Sequence, residues 1–181
     1  VLPVPLIKIN MSFSRQNYAD ECESGVNRQI NIGLHACYAF SSMAFHFDRD
    51  DVALPGFHKY FKQLSDVERD HAEQLIKYQN TRGGRVLLQD IKKPETTDWG
   101  SGLDALTAAL KIKKSVNQSL VDLHNIAESK NDVQFAGMIK NTYLKNEVES
   151  IKQITDYIAM MNSAGPGRGE YLFDTETLLG S

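Results

Sequence analysis

The chain is poor in cysteine and in long apolar runs, and each shortage excludes something. Two cysteines in 181 residues are too few for a disulfide framework. Both, Cys22 and Cys37, fall within one helical pattern, which would hold them roughly 22 Å apart, so they cannot pair within a subunit. Free thiols suit a reducing compartment. Basic residues are not in excess: 20 Lys and Arg stand against 23 Asp and Glu, for a net charge of -3. That balance argues against a nucleic-acid binder. No apolar run is long enough to cross a membrane. The single tryptophan, Trp99, is read as a packing anchor, and no internal repeat or low-complexity tract is evident.

What is present is helical periodicity. One domain of this length can bury a substantial core. The first pattern runs from about Asp20 to Asp48, with Ile30, Leu34, Cys37, Ser41 and Phe45 at three-to-four spacing. The second runs from Pro55, suited to a first helical turn, to Thr81, before the stop signal Gly83-Gly84. Its stripe is Phe57, Phe61, Leu64, Glu68, His71, Leu75 and Tyr78. The third, about Gly102 to Ser129, carries Leu103, Leu106, Leu110, Lys113, Asn117, Leu120 and His124. The fourth, about Val133 to Asn162, carries Tyr143, Glu147, Ile151, Ile154, Ile158 and Met161 and is broken by Gly165-Pro166-Gly167. A last amphipathic piece spans Glu170 to Leu179.

Helices of this length predict an all-α fold, a four-helix bundle with one long crossover and a short fifth helix. The first-to-second and third-to-fourth links are short and make antiparallel hairpins. The second-to-third link, about Gly83 to Ser101, can run the length of the bundle, and its Val86-Leu87-Leu88 could form a short extended segment. Residues 1–11 read as an N-terminal extension before a domain spanning 12–181. Met11 looks like a natural start, and Val1 to Asn10 reads either as a vector-derived or upstream-translated leader or as an extended strap favoured by Pro3 and Pro5. It makes a poor signal peptide.

Glu68 and His71 lie three apart on one helical face, and a Glu-x-x-His pair pointing into a bundle belongs to the iron-binding arrangement of ferritin-like proteins. Longer strings carry a more specific resemblance. They are Arg15-Gln16-Asn17-Tyr18, Asn27-Arg28-Gln29-Ile30-Asn31, and Phe47-Asp48-Arg49-Asp50-Asp51-Val52-Ala53-Leu54. They continue with Arg82-Gly83-Gly84-Arg85, Gln89-Asp90-Ile91-Lys92-Lys93-Pro94, Val116-Asn117-Gln118-Ser119-Leu120 and Glu170-Tyr171-Leu172-Phe173. From about Ser12 to Leu179 the chain resembles animal ferritins. The resemblance implies a hollow shell of twenty-four subunits that stores iron as ferric mineral. Heavy-type subunits also oxidise ferrous iron at a di-iron centre inside each bundle, and light-type subunits lack that centre.

A di-iron site needs several carboxylates and a histidine. By resemblance, the bridging Glu falls on Glu68 and the histidine on His71, but the first-helix Glu falls on Gly33 and the third-helix Glu on Lys113. The fourth-helix Gln falls on Glu147, and a nearby Tyr on Phe40. Independently of any family, Lys113 occupies an inward position facing inward Glu68 and Glu147, and a buried carboxylate pair needs compensating positive charge. The expectation is a core salt bridge among Lys113, Glu68 and Glu147 rather than a stable di-iron centre. Gly33 leaves room for a small void or a water.

The resemblance also places the threefold pore. Its two acidic positions fall on Gly137 and Lys140, its outer histidine on His124 and a neighbouring cysteine on Ala136. Three copies of Lys140 around one axis would repel Fe²⁺ unless the side chain swings away to an acid. Asp66, Asp70 and Glu73 form a stripe on the second helix. It is either a site of ferric mineral nucleation or a solvated face neutralised by Arg69 and Lys77. His35, His46 and His58 show no ligand constellation. The sequons at Asn10 and Asn117 carry little, the second lying in a helix expected to pack.

Taken together, these residues predict a light-type ferritin subunit, a cytoplasmic homo-oligomer of 24 that could co-assemble with heavy-type subunits, with secretion left open. Two rivals remain open at this stage. One is an active ferroxidase built on Glu68, His71, Glu147 and a further ligand, and the other a shell engineered as a container. A DNA-protecting cage is disfavoured by the fifth helix and the lack of a basic tail.

Overall fold

A computed structural model describes residues 12–180, which form an all-helical bundle with no strand among the described residues. The expectations for residues 1–11, including the leader or strap and the Asn10 sequon, lie outside them. Helix α1 spans Asp20–Phe47, α2 Pro55–Thr81 and α3 Gly102–Ser129. The fourth long helix is continuous but not uniform: α4 (Val133–Met138) passes through a π-helical stretch, Ile139–Leu144, into α5 (Lys145–Ala164). Gly165, at φ 79°, ends it. The terminal segment is α6 (Arg168–Leu172) followed by a second π-helical stretch, Phe173–Leu178.

Local chemistry explains the boundaries. Pro55 sits in the first turn of α2, where its missing N–H costs nothing. Helix α3 opens with a capping box in which Ser101 accepts from the Asp104 amide and Asp104 accepts from the Ser101 amide. Asp132 caps α4 through the Phe135 amide.

The crossover runs along α1 and is tied to it by a ladder of polar side chains. Asn27 donates to the Arg85 carbonyl and accepts from the Leu87 amide, both at 3.0 Å. Asn31 donates to the Asp90 carbonyl, His35 meets the Lys92 carbonyl, the Trp99 indole donates to Ser42, and His46 meets the Gly100 carbonyl. Val86 to Leu88 form no strand, and the Leu87 amide is taken up by the Asn27 side chain of α1. Helices α2 and α3 start at the same end of the bundle, as a full-length crossover requires.

The ladder also corrects the expected face of α1. Leu34, Cys37 and Ser41 are only half-buried and Phe45 is 54% exposed. The core face is Val26, Ile30, Gly33, Phe40, Met43 and Phe47. The stripes expected on α2 and on the fourth helix are largely buried, while Leu103, Leu110, Asn117 and His124 of α3 are half-buried at the margin of a face centred on Leu106, Lys113, Val116 and Leu120. Phe47, Phe57 and Phe61 stack at one end of the core, with ring centroids 5.0 to 6.3 Å apart. Cys22 and Cys37 are both free.

Candidate metal centre

Midway along the bundle, three helices bring ionisable side chains into the interior. Helix α2 supplies Glu68 and His71, α3 supplies Lys113 and α5 supplies Glu147. Each is placed there by the same periodicity that places leucines one turn away: Leu64 and Leu75 flank the α2 pair, and Ala109 and Val116 flank Lys113. Lys113 Nζ donates to Glu68 Oε1 and to Glu147 Oε1, both at 2.6 Å. All three residues are essentially removed from solvent, at 1%, 1% and 0% exposure for Lys113, Glu68 and Glu147. The salt bridge expected from the sequence is therefore present.

One lysine between two carboxylates leaves an excess negative charge, and the geometry shows where it strains. Glu147 Oε2 is buried and has no hydrogen-bond partner among the described residues. Burial pushes the Glu147 carboxyl up to about 7; the Lys113 ammonium opposes this, while the charge of Glu68 adds to it. Burial pulls the Lys113 ammonium down, but Glu68 and Glu147 more than offset it, so its pKa stands above the ordinary lysine value.

His71 lies at the edge of this group, mostly buried, its ring edge-on to Tyr143 at 5.2 Å. Asn146 Nδ2 donates to His71 Nε2 at 3.4 Å. Burial depresses the imidazole pKa, Glu68 raises it and Lys113 lowers it, which favours the neutral ring. Ligand atoms of Glu68, His71 and Glu147 lie within 4.8 Å of one another, so these three are the residues that could jointly face a metal ion. Two oxygens and one imidazole nitrogen suit a borderline divalent cation, but Lys113 already occupies Glu68 and Glu147.

On α1, Gly33 faces the same region. A Cβ there would stand 3.6 Å from Ala72 Cβ and 3.7 Å from the Glu68 carbonyl oxygen, so the backbone leaves ordinary room for a side chain that the glycine lacks. Phe40 is fully buried and offers no hydroxyl.

The pore candidates come together elsewhere. His124, Gly137 and Lys140 line one surface hollow with Glu128 and Asp132. A Cβ at Gly137 would meet nothing within 4 Å. His124 Nε2 stands 3.7 Å from Glu128. Lys140 is exposed and makes no ion pair among the described residues, so the expected alternative of a swing to an acid is not seen in the subunit. The stripe Asp66, Asp70 and Glu73 is surface-directed, and Asp66 is held by Lys62 at 2.5 Å and Arg69 at 2.6 Å. The expected neutralising residue Lys77 is replaced in that role by Lys62, four residues earlier on the helix. His35, His46 and His58 each bond a backbone carbonyl, at 2.9, 3.1 and 2.8 Å. The ladder role of the first two was missed from the sequence; its signal was the i, i+4 run Asn27, Asn31, His35.

A helical bundle with one full-length crossover, a short terminal helix and a Glu-x-x-His pair facing a further carboxylate defines a ferritin-like protein. The ferritin-like domain family matches residues 23–164, and the chain belongs to the ferritin family, whose members store iron. It is 56% identical to a soma ferritin of Lymnaea stagnalis over 173 residues, covering 96% of this chain and 99% of the relative. It is 51% identical to a ferritin heavy chain of Echinococcus granulosus over 170 residues, covering 94% and 98%. Identity to a ferritin lower subunit of Aquarana catesbeiana is 49% over 167 residues, covering 91% and 96%. No helix among the described residues is long and apolar enough to cross a membrane.

Proposed function

We propose that this chain is a light-type subunit of an iron-storage shell, in which the Lys113 ammonium stands where a catalytic iron would otherwise sit. The observation that carries this reading is the pair of 2.6 Å contacts from Lys113 Nζ to Glu68 and Glu147. A tethered cation there repels Fe²⁺ and uses the lone pairs a second iron would need. Gly33 and Phe40 withdraw a further carboxylate and a hydroxyl. Rapid oxidation needs two metals held together, so the homopolymer stores and mineralises iron but oxidises it slowly, and heavy-type partners supply oxidation in mixed shells. Twenty-four copies form the closed shell, in the cytoplasm.

Iron reaches the interior by a route other than an acid-lined threefold pore, because Gly137 removes one acid and Lys140 adds a cation beside His124. Inside, Asp70 and Glu73, which make no ion pair among the described residues, offer carboxylates for ferric nucleation, with Asp66 partly neutralised by Lys62 and Arg69. The second reading, an active ferroxidase on Glu68, His71 and Glu147, is favoured by the 4.8 Å convergence of their ligand atoms. Anomalous diffraction after an anaerobic ferrous soak distinguishes them. Two irons roughly 3–4 Å apart beside Glu68 and His71, the spacing of two-metal sites, would refute the light-type reading.

A further inference from the structure

Helix α2 begins without a cap of its own. Its N-cap residue is Leu54, whose side chain accepts no hydrogen bond. The third helical residue, Phe57, nevertheless finds an acceptor: its amide donates at 2.8 Å to Asp174 Oδ1, from the terminal π-helical stretch 117 residues away. Helix α3 is served in the same way. The amide of its first residue, Gly102, donates at 2.6 Å to Glu170 Oε1 of α6. Glu170 and Asp174 are four residues apart and so share one face of the terminal segment. That face lies across the end of the bundle where α2 and α3 both start, and each carboxylate meets the positive end of a helix dipole.

We propose that Glu170 and Asp174 form a two-point carboxylate latch that holds the terminal segment onto its own subunit. Glycines make the close approach possible. A Cβ at Gly56 would stand 2.3 Å from the Asp174 carbonyl oxygen and 2.9 Å from Leu178 Cβ. A Cβ at Gly102 would stand 2.2 Å from Phe57 Cζ. The latch is accompanied by an apolar plug: Phe173 packs against Phe57 at 5.7 Å and Tyr157 at 5.4 Å, and both Phe173 and Leu178 are buried. Tyr171, Leu172 and Leu179 remain exposed on the segment. The latch thus fixes the orientation in which this remaining apolar surface is offered to neighbours. Eleven residues of helix, 168–178, are too few to hold that orientation by themselves.

The latch is built to open as a unit. Asp174 is 1% exposed and its Oδ2 has no partner among the described residues, so the docked carboxylate forgoes hydration that it regains on release. Losing the segment also uncovers the face of Phe57 that Phe173 covers. The docked state therefore rests on the two carboxylates together with the Phe173 and Leu178 plug, and its opening can be read by hydrogen exchange.

The experiment is exchange mass spectrometry on the full chain, comparing wild type with Asp174→Ala, Asp174→Asn, Glu170→Gln and Gly56→Ala. Asp174→Ala should speed exchange across 168–178 by roughly five- to tenfold, the effect of losing one cap. Asp174→Asn retains an acceptor oxygen and should lie between wild type and Asp174→Ala. Gly56→Ala reaches the same opening from the other side of the contact and should give the same local pattern, with exchange at the centres of α1, α2 and α3 unchanged. Wild-type exchange in both Asp174→Ala and Gly56→Ala would overturn the latch. So would acceleration spread evenly over the whole subunit.

Discussion

Lys113 concentrates the charge chemistry of the subunit into one side chain. Removing it leaves Glu68 and Glu147 facing each other without a cation, and breaking a buried pair in this way costs about 3–5 kcal/mol. Lys113→Met should lower the denaturant midpoint accordingly at pH 8. The loss should shrink toward pH 5, where Glu147 carries its proton. In the wild type, the Glu147 carboxyl is pushed up to about 7 from an ordinary 4.5, chiefly by burial. The folded chain then binds this proton more tightly than the unfolded chain does. The stability Glu147 contributes is full below pH 4.5 and declines as the pH rises through about 7. Glu147→Gln removes the titrating carboxyl and the excess charge together. Its midpoint should vary less than wild type between pH 5 and 8 and should match or exceed wild type at pH 8. A wild-type slope retained in Glu147→Gln would assign the pH dependence to other groups. Gly33 gives a prediction of opposite sign. Its Cβ position is free of close contacts and lies in mid-helix, so Gly33→Ala should stabilise by about 0.5–1 kcal/mol, measured by the same denaturation.

At the scale of the element, the sequence was legible where periodicity and punctuation agreed. The bounds of α2 follow from Pro55 and Gly83-Gly84, and those of α3 from its periodicity, whereas the Ser101–Asp104 box that opens α3 went unread. The inward placing of Glu68, Lys113 and Glu147 follows from counting along the helices. What was not legible depended on partners distant in sequence. The face of α1 was misread because Asn27, Asn31 and His35 look like an ordinary solvated stripe until the crossover lies on them. Similarly, Leu54 has no side-chain acceptor to cap α2, but no local pattern reveals that Asp174, 117 residues from Phe57, takes that role. The two π-helical stretches gave no sequence signal at all. The ladder makes its own prediction. Asn27→Ala removes two bonds to the crossover and should cost about 1–3 kcal/mol, with faster amide exchange confined to residues 85–88. Unchanged exchange there would mean that burial alone holds the crossover.

For the molecule as a whole, the residues on which the proposed light-type reading rests lie in the bundle centre and in the hollow around His124, Gly137 and Lys140. The exposed apolar residues Leu87, Leu88, Phe45, Tyr171 and Leu179 lie elsewhere and are available for contacts between subunits. Shell assembly should therefore survive the loss of iron chemistry. Light scattering on the purified chain should report a closed particle of twenty-four subunits, and a stable monomer or dimer at micromolar concentration would count against it. Such a particle permits the most direct measurement of the central claim, stopped-flow oxidation of ferrous iron by the homopolymer beside the Gly33→Glu, Lys113→Glu double variant. The account predicts a slow, nearly uncatalysed trace for the wild type and a fast phase only in the double variant, each single change doing much less because the ligands act as a unit. A wild-type burst as fast as that of the double variant would contradict it.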